Sequence, residues 1–286
     1  VQKIALGTVQ FGLPYGITNV EKRIPNQETV ARILSYALEQ GITYLDTAKL
    51  YGNSEEVLGK VGTKGFEVVT KLPSCSSDQV EKEVEDSCKK LGVESLYGYL
   101  LHSFQSFVED PLPYQKLIAL QSSERIRKIG FSLYYPSELE YLLEEDIEFG
   151  LVQVPYSLLD RRFEPYFERL TAKGVEIHTR SAFLQGVFFL SPPSLPIHLQ
   201  PIHQQVREIQ ALSKKWEVSI AGICLGFVLK NPFLSKGVIG VDSLEQMKAN
   251  VLSLETIPDH PAFWPSFNGL EVSDEKIVVP SNWKVD

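Results

Sequence analysis

Short apolar runs alternate along this chain with longer stretches in which apolar residues recur every three or four positions, the two signatures of buried strands and amphipathic helices. The first run, Ile4-Ala5-Leu6, closes on Gly7. Asn26 then stands where a helix N-cap belongs, and Val30, Ile33, Leu34, Ala37 and Leu38 share one face before Gly41 ends the periodicity. A second run ends at Asp46, followed by a short helical piece with Val57 and Leu58. Val68-Val69-Thr70 runs into Lys71, and Val80, Val84, Cys88 and Leu91 mark a helix over 78–91. Tyr99-Leu100-Leu101 runs into His102, with a helix over 114–120 after it.

The alternation continues through a strand from Ile126 to Ser132 and a helix opened by Pro136. A strand over 149–153, a helix over 163–172 and a strand over 175–179 follow. Pro192, Pro193 and Pro196 then predict a long connection without regular structure. Helices over 202–216 and 220–229, a strand over Lys236–Gly240 and a helix capped by Ser243 complete the pattern. Eight strand–helix units without a break in composition predict an α/β fold, a single (β/α)8 TIM barrel spanning residues 1–286. Residues 263–286, with two tryptophans and Pro280, read as a C-terminal tail packed on the barrel.

Barrel enzymes carry their chemistry at the C-terminal ends of the strands. Asp46, Tyr51, Lys71 and His102 all fall at or just beyond three successive strand ends, a set able to move protons. As packing residues they would be a phenol, a rim ion pair and a satisfied core histidine; together at neighbouring strand ends they read as a site. Cys75, Cys88 and Cys224 show no ligand spacing and the five histidines form no pair one helical turn apart, so no metal is expected. A formal charge of −8 argues against nucleic acid, and no apolar run reaches the roughly 18 residues that span a bilayer. Val1–Gly7 reads as a strand rather than a secretory leader, which places the expectation in the cytoplasm, with monomer and homodimer both compatible.

With these marks assembled, the chain resembles the aldo-keto reductases, through Asp46-Thr47-Ala48 with Tyr51-Gly52, Thr70-Lys71, Leu101-His102, Ile129-Gly130-Phe131-Ser132, Val152-Gln153, Tyr156–Arg161 and Gly240 with Asn250. The resemblance implies NAD(P)H-dependent reduction of a small aldehyde or ketone. It makes Tyr51 the proton donor, Lys71 and Asp46 the groups that tune it, and His102 the group that orients the carbonyl. A nearby ammonium is expected to lower the phenol's pKa.

The resemblance further implies cofactor contacts at Gln10, Ser132, Gln153, Arg180, Gly240, Asp242, Ser243 and Asn250. Leu133 stands where the family carries asparagine, and Arg180 where it carries an aromatic that stacks on nicotinamide. The other reading of Arg180 aims it at an acidic neighbour. Asp242 stands where relatives that select the 2′-phosphate carry a cation, so NADH is expected alongside NADPH, with Lys248 offsetting part of the effect. Gln10, Phe11, Phe104, Tyr134 and Tyr156 are candidates for an apolar substrate pocket, and the loop over 185–200 for a lid. The departures at Leu133 and Arg180 motivate an alternative, a nicotinamide-binding sensor subunit with little turnover. A third reading uses Lys71 as a Schiff-base nucleophile.

Overall fold

In a computed structural model that describes residues 1–19 and 21–283, eight parallel strands close into a barrel. They are β1 (Ile4–Gly7), β2 (Tyr44–Asp46), β3 (Glu67–Leu72), β4 (Leu96–Leu101), β5 (Ile126–Ser132), β6 (Leu151–Pro155), β7 (Glu176–Arg180) and β8 (Lys236–Gly240). Each pairs with the next, and β8 returns to β1 with Gly7 opposite Gly240. Gly7 is also opposite Asp46, so the ends of β8, β1 and β2 lie in one row.

Alternation along each strand sends one set of side chains outward to the helices and the other into the barrel. On β5, Phe131 meets Tyr114 of the helix Leu112–Gln121 at a ring separation of 4.6 Å. Two apolar cores result: a large one between strands and helices, and a small one of Val69, Tyr97, Leu100 and Leu151 inside the barrel. The inner core is apolar only in its middle layer. Asp46, Lys71 and Gln153 are buried toward the C-terminal ends of the strands.

The helix Gln27–Glu39 starts as its sequence implies, with the Asn26 side chain accepting from Thr29 N–H. The proline-rich connection departs from expectation, because it folds into short 3-10 turns at Leu184–Phe189, Pro192–Ser194 and Ile197–Ile202. Proline fits the first position of such a turn, where its missing N–H has no partner to lose. The helix expected over 163–172 opens as a 3-10 turn, Glu164–Tyr166, and an unexpected helix, Phe104–Glu109, follows β4.

The helix Ile220–Leu229 is apolar around its whole circumference, and the segment after residue 262 covers its outer side. Phe263 and Phe267 are fully buried, with Trp264 at 6.4 Å from Phe227. The chain then passes the strand-end loops, where Val272 N–H donates to the Leu159 carbonyl oxygen and Trp283 packs at 5.6 Å from His198. Residues 284–286 of the expected tail lie outside the described residues. Among the described residues no helix is long and apolar enough to cross a membrane.

Candidate active site

Strand ends β2, β3 and β4 bring Asp46, Lys71 and His102 to one mouth, and the turn after β2 adds Tyr51. Lys71 Nζ donates to both Asp46 carboxylate oxygens and to the Thr47 carbonyl oxygen, each at 2.9 Å. Gln153 Nε2 donates to Asp46 Oδ1 at 2.7 Å from across the barrel. The ammonium lies 5.1 Å from the centre of the Tyr51 ring, and His102 meets that ring edge-on at 5.9 Å. All four proton-handling candidates are therefore in one place, with Gln153 tied to them.

Tyr51 is held by backbone contacts that leave no room for a side chain. A Cβ on Gly12 would stand 1.9 Å from the Tyr51 carbonyl oxygen, and one on Gly52 would stand 2.3 Å from the Gly12 carbonyl oxygen. Gly52 also has a φ of +59°, a conformation that favours glycine. Beneath this turn the buried Ser54 hydroxyl donates to the Thr8 carbonyl oxygen at 2.9 Å and accepts from Thr47 at 3.2 Å. Thr8 Oγ1 in turn donates to the Asp46 carbonyl oxygen at 3.1 Å. This hydroxyl chain ties the Tyr51 turn to the ends of β1 and β2.

The electrostatics follow from burial. Burial disfavours the Lys71 ammonium, but Asp46 and then Tyr51 hold its pKa above the ordinary lysine value. The expected lowering of the Tyr51 pKa does not occur. Burial raises it, and the opposing pull of Lys71 and Arg180 is smaller, so the phenol keeps its proton at neutral pH. Burial, then Lys71 and Arg180, push His102 down to about 3, so its imidazole is neutral. A raised lysine pKa with every proton engaged makes Lys71 a poor Schiff-base nucleophile.

The remaining candidates lie on the same rim. Ser132 is buried and opposite Gln153 in register. Gln153 Oε1 and Gln10 Oε1 are buried acceptors without a partner among the described residues. The Gln10 side chain lies over Gly240, where an added Cβ would approach it to 2.3 Å. The Ser243 hydroxyl caps the helix Leu244–Ser253 by accepting from Gln246 N–H at 3.2 Å. Asp242 N–H donates to Gln246 Oε1 at 3.2 Å, and burial raises the carboxyl's pKa. Asn250 is buried two turns further on. Lys248 is exposed, 5.7 Å above the Tyr36 ring.

Two expected pocket walls are core residues instead. Phe11 is fully buried, and Tyr156, 1% exposed, donates to Glu164 Oε1 at 2.8 Å and stacks on Phe227. Phe104 packs against Phe107 and Tyr141. Tyr134 does stand at the mouth, with the Arg180 guanidinium 4.0 Å from its ring centre. Arg180 forms no ion pair among the described residues, contrary to the reading that aimed it at an acidic neighbour. Tyr15, 40% exposed, is a mouth residue that sequence reasoning missed. It sits between Pro14 and Gly16, in a stretch with no periodicity to give its direction.

A family model described as the aldo/keto reductase family matches residues 3–263. An NAD/NADP-dependent indole-3-acetaldehyde reductase of Schizosaccharomyces pombe is 26% identical, over 83% of this chain and 82% of its own. An NADH-specific methylglyoxal reductase of Escherichia coli is 24% identical, over 75% of this chain and 79% of its own. The solved holo form of an aldo-keto reductase from Bacillus halodurans superposes with a TM-score of 0.74 at 21% identity, covering 96% of this chain and 95% of that one. At that identity the superposition speaks for the fold alone.

Proposed function

This chain belongs to the aldo/keto reductase family, and on that premise we propose that it reduces an aldehyde or ketone to the alcohol with a nicotinamide cofactor, Tyr51 giving the proton. The observation that carries this reading is a half-buried phenol seated against a buried lysine–aspartate pair, with a neutral imidazole edge-on to it. Its raised pKa keeps Tyr51 charged with a proton until a carbonyl oxygen develops negative charge beside it. The phenolate left behind is stabilised by the Lys71 ammonium, which Asp46 and Gln153 hold in place. The neutral His102 has one N–H, which orients the carbonyl oxygen by donating to it.

The rim fits a nicotinamide. The carboxamide is both donor and acceptor, and the unpaired acceptors Gln153 Oε1 and Gln10 Oε1 with the Ser132 hydroxyl complement it. When bound, the reduced nicotinamide supplies the hydride. Gly240, Asp242, Ser243 and Asn250 would hold the far end of the cofactor, and Arg180 stands beside the nicotinamide end. Asp242 disfavours the extra phosphate of NADPH, so NADH is proposed to serve as well as NADPH.

The test is loss of nicotinamide absorbance with a reactive aromatic aldehyde, NADPH and NADH in parallel. Tyr51→Phe is expected to lose about 100-fold or more in kcat. A Tyr51→Phe variant as fast as the parent would remove Tyr51 from the chemistry. Cofactor binding without turnover on any aldehyde would favour the sensor reading that the departures at Leu133 and Arg180 first suggested.

A further inference from the structure

Arg180 ends β7 at the mouth of the barrel, and the groups among the described residues that hold its guanidinium are neutral. Nη2 donates to the Leu133 carbonyl oxygen at 2.9 Å, Nη1 lies 3.5 Å from Ser181 Oγ, and the Tyr134 ring covers the group at 4.0 Å. Nε is buried and has no partner among the described residues. The neighbouring arginines behave differently. Arg162 pairs with Asp160 at 2.8 Å and Glu275 at 3.2 Å, and Arg161 with Glu271 at 3.7 Å. A buried guanidinium N–H without an acceptor is costly to leave unmade, so the arrangement is complete only when something else accepts from it.

The local charge balance says what that acceptor is. Lys71 is matched by Asp46, and His102 is neutral. Glu138 feels the Arg180 charge but its carboxylate accepts from the Tyr134 and Tyr135 N–H groups, so among the described residues Arg180 is the mouth cation without an ion-pair partner, in a chain whose formal net charge is −8. Its charge acts on Tyr51, His102 and Tyr15, so it stands within electrostatic reach of the place where a carbonyl would bind. The guanidinium is planar, oriented by Tyr134 and the Leu133 carbonyl oxygen, and matched in shape to a carboxylate.

We propose that Arg180 is a substrate-recognition residue, and that the preferred substrates are carbonyl compounds carrying a carboxylate. The proposal rests on the reductase reading above and names the substrate class for that site. The carboxylate accepts from Arg180 Nε, while the carbonyl end reaches Tyr51 and His102. Leu133 takes part through its backbone, since its carbonyl oxygen is what sets the guanidinium's plane.

The experiment compares kcat/KM for para-carboxybenzaldehyde and its neutral counterpart para-carbamoylbenzaldehyde, at saturating cofactor. The parent is expected to favour the acid by roughly 10–100-fold, the worth of one charge-assisted contact. Arg180→Met is expected to bring that ratio near one whatever happens to the absolute rates, and Arg180→Lys to keep part of it. A ratio near one in the parent overturns the proposal. So does an Arg180→Met variant that keeps the parent's ratio while losing nicotinamide affinity, which would make Arg180 a cofactor contact only. Failure to turn over either aldehyde would count against the reductase reading instead. Calorimetry with benzoate and benzamide then decides the anion site by itself: tighter benzoate binding that Arg180→Met abolishes supports it, and equal binding overturns it.

Discussion

Removing the Lys71 ammonium is the sharpest perturbation of the site, because its side chain is 1% exposed and that of its partner Asp46 is 5% exposed. Lys71→Met keeps the length and apolar stem of the side chain. It leaves a buried carboxylate with Gln153 Nε2 at 2.7 Å as its remaining side-chain donor. Breaking a buried pair from one side costs roughly 3–5 kcal/mol, because an uncompensated charge stays behind. For 286 residues, the average unfolding entropy converts that loss into a fall in Tm of about 5–8 °C. Turnover is expected to fall by about 100-fold or more, since the phenolate formed from Tyr51 loses its nearest cation. The decisive measurement is a double-mutant cycle of thermal melts with Asp46→Asn. The double variant removes both charges, so its loss is expected to be smaller than the sum of the two single losses by 1 kcal/mol or more, an order of magnitude set by contacting residues. Additive losses, or a Lys71→Met variant as stable as the parent, would refute the picture of a desolvated, mutually dependent pair.

Other outcomes follow from the surroundings of this pair. Gly12→Ala places a Cβ 1.9 Å from the Tyr51 carbonyl oxygen, so the Tyr51 turn must move. A stability loss of about 1–3 kcal/mol is expected, with a kcat reduction near 100-fold because the acid is misplaced. A melt and a turnover assay check both, and a normal kcat would show that the turn tolerates displacement. His178 is 1% exposed inside the barrel with neither ring nitrogen hydrogen-bonded among the described residues, facing Glu176, Lys236, Lys128 and Lys71. Burial, aided by those lysines, pushes it down to about 3. The unfolded chain takes up a proton below about pH 6.5, so stability is full above that pH and falls as the pH drops toward 3, by up to about 1.4 kcal/mol per unit. His178→Leu is expected to flatten the fall of Tm between pH 6.5 and 4 and to be as stable as the parent at pH 7. Parallel curves for the two proteins would show that His178 is not the source.

Much of the architecture was legible in the chain because it is written locally. Strand ends at Asp46, Lys71 and His102 and caps at Asn26 and Ser243 depend on residues a few positions apart, and the structure places them where the periodicity does. The same locality brought the four proton-handling candidates together, since consecutive strands of a parallel barrel are neighbours. Only the tertiary structure decided what depends on partners far along the chain. Gln153 reaches Asp46 across 107 positions, and Arg180 lies on Tyr134 and Leu133 without an ion pair to any carboxylate of the described residues. Tyr156 and Phe11 follow or lie near strand ends as pocket residues would, yet the packing of later helices closes over them. The pKa of Tyr51 was the clearest case. Sequence alone sets an ammonium beside a phenol and so suggests a lowered value, but how much water the fold removes from that phenol outweighs the ammonium, and desolvation is a property of the folded surface rather than of any stretch of sequence.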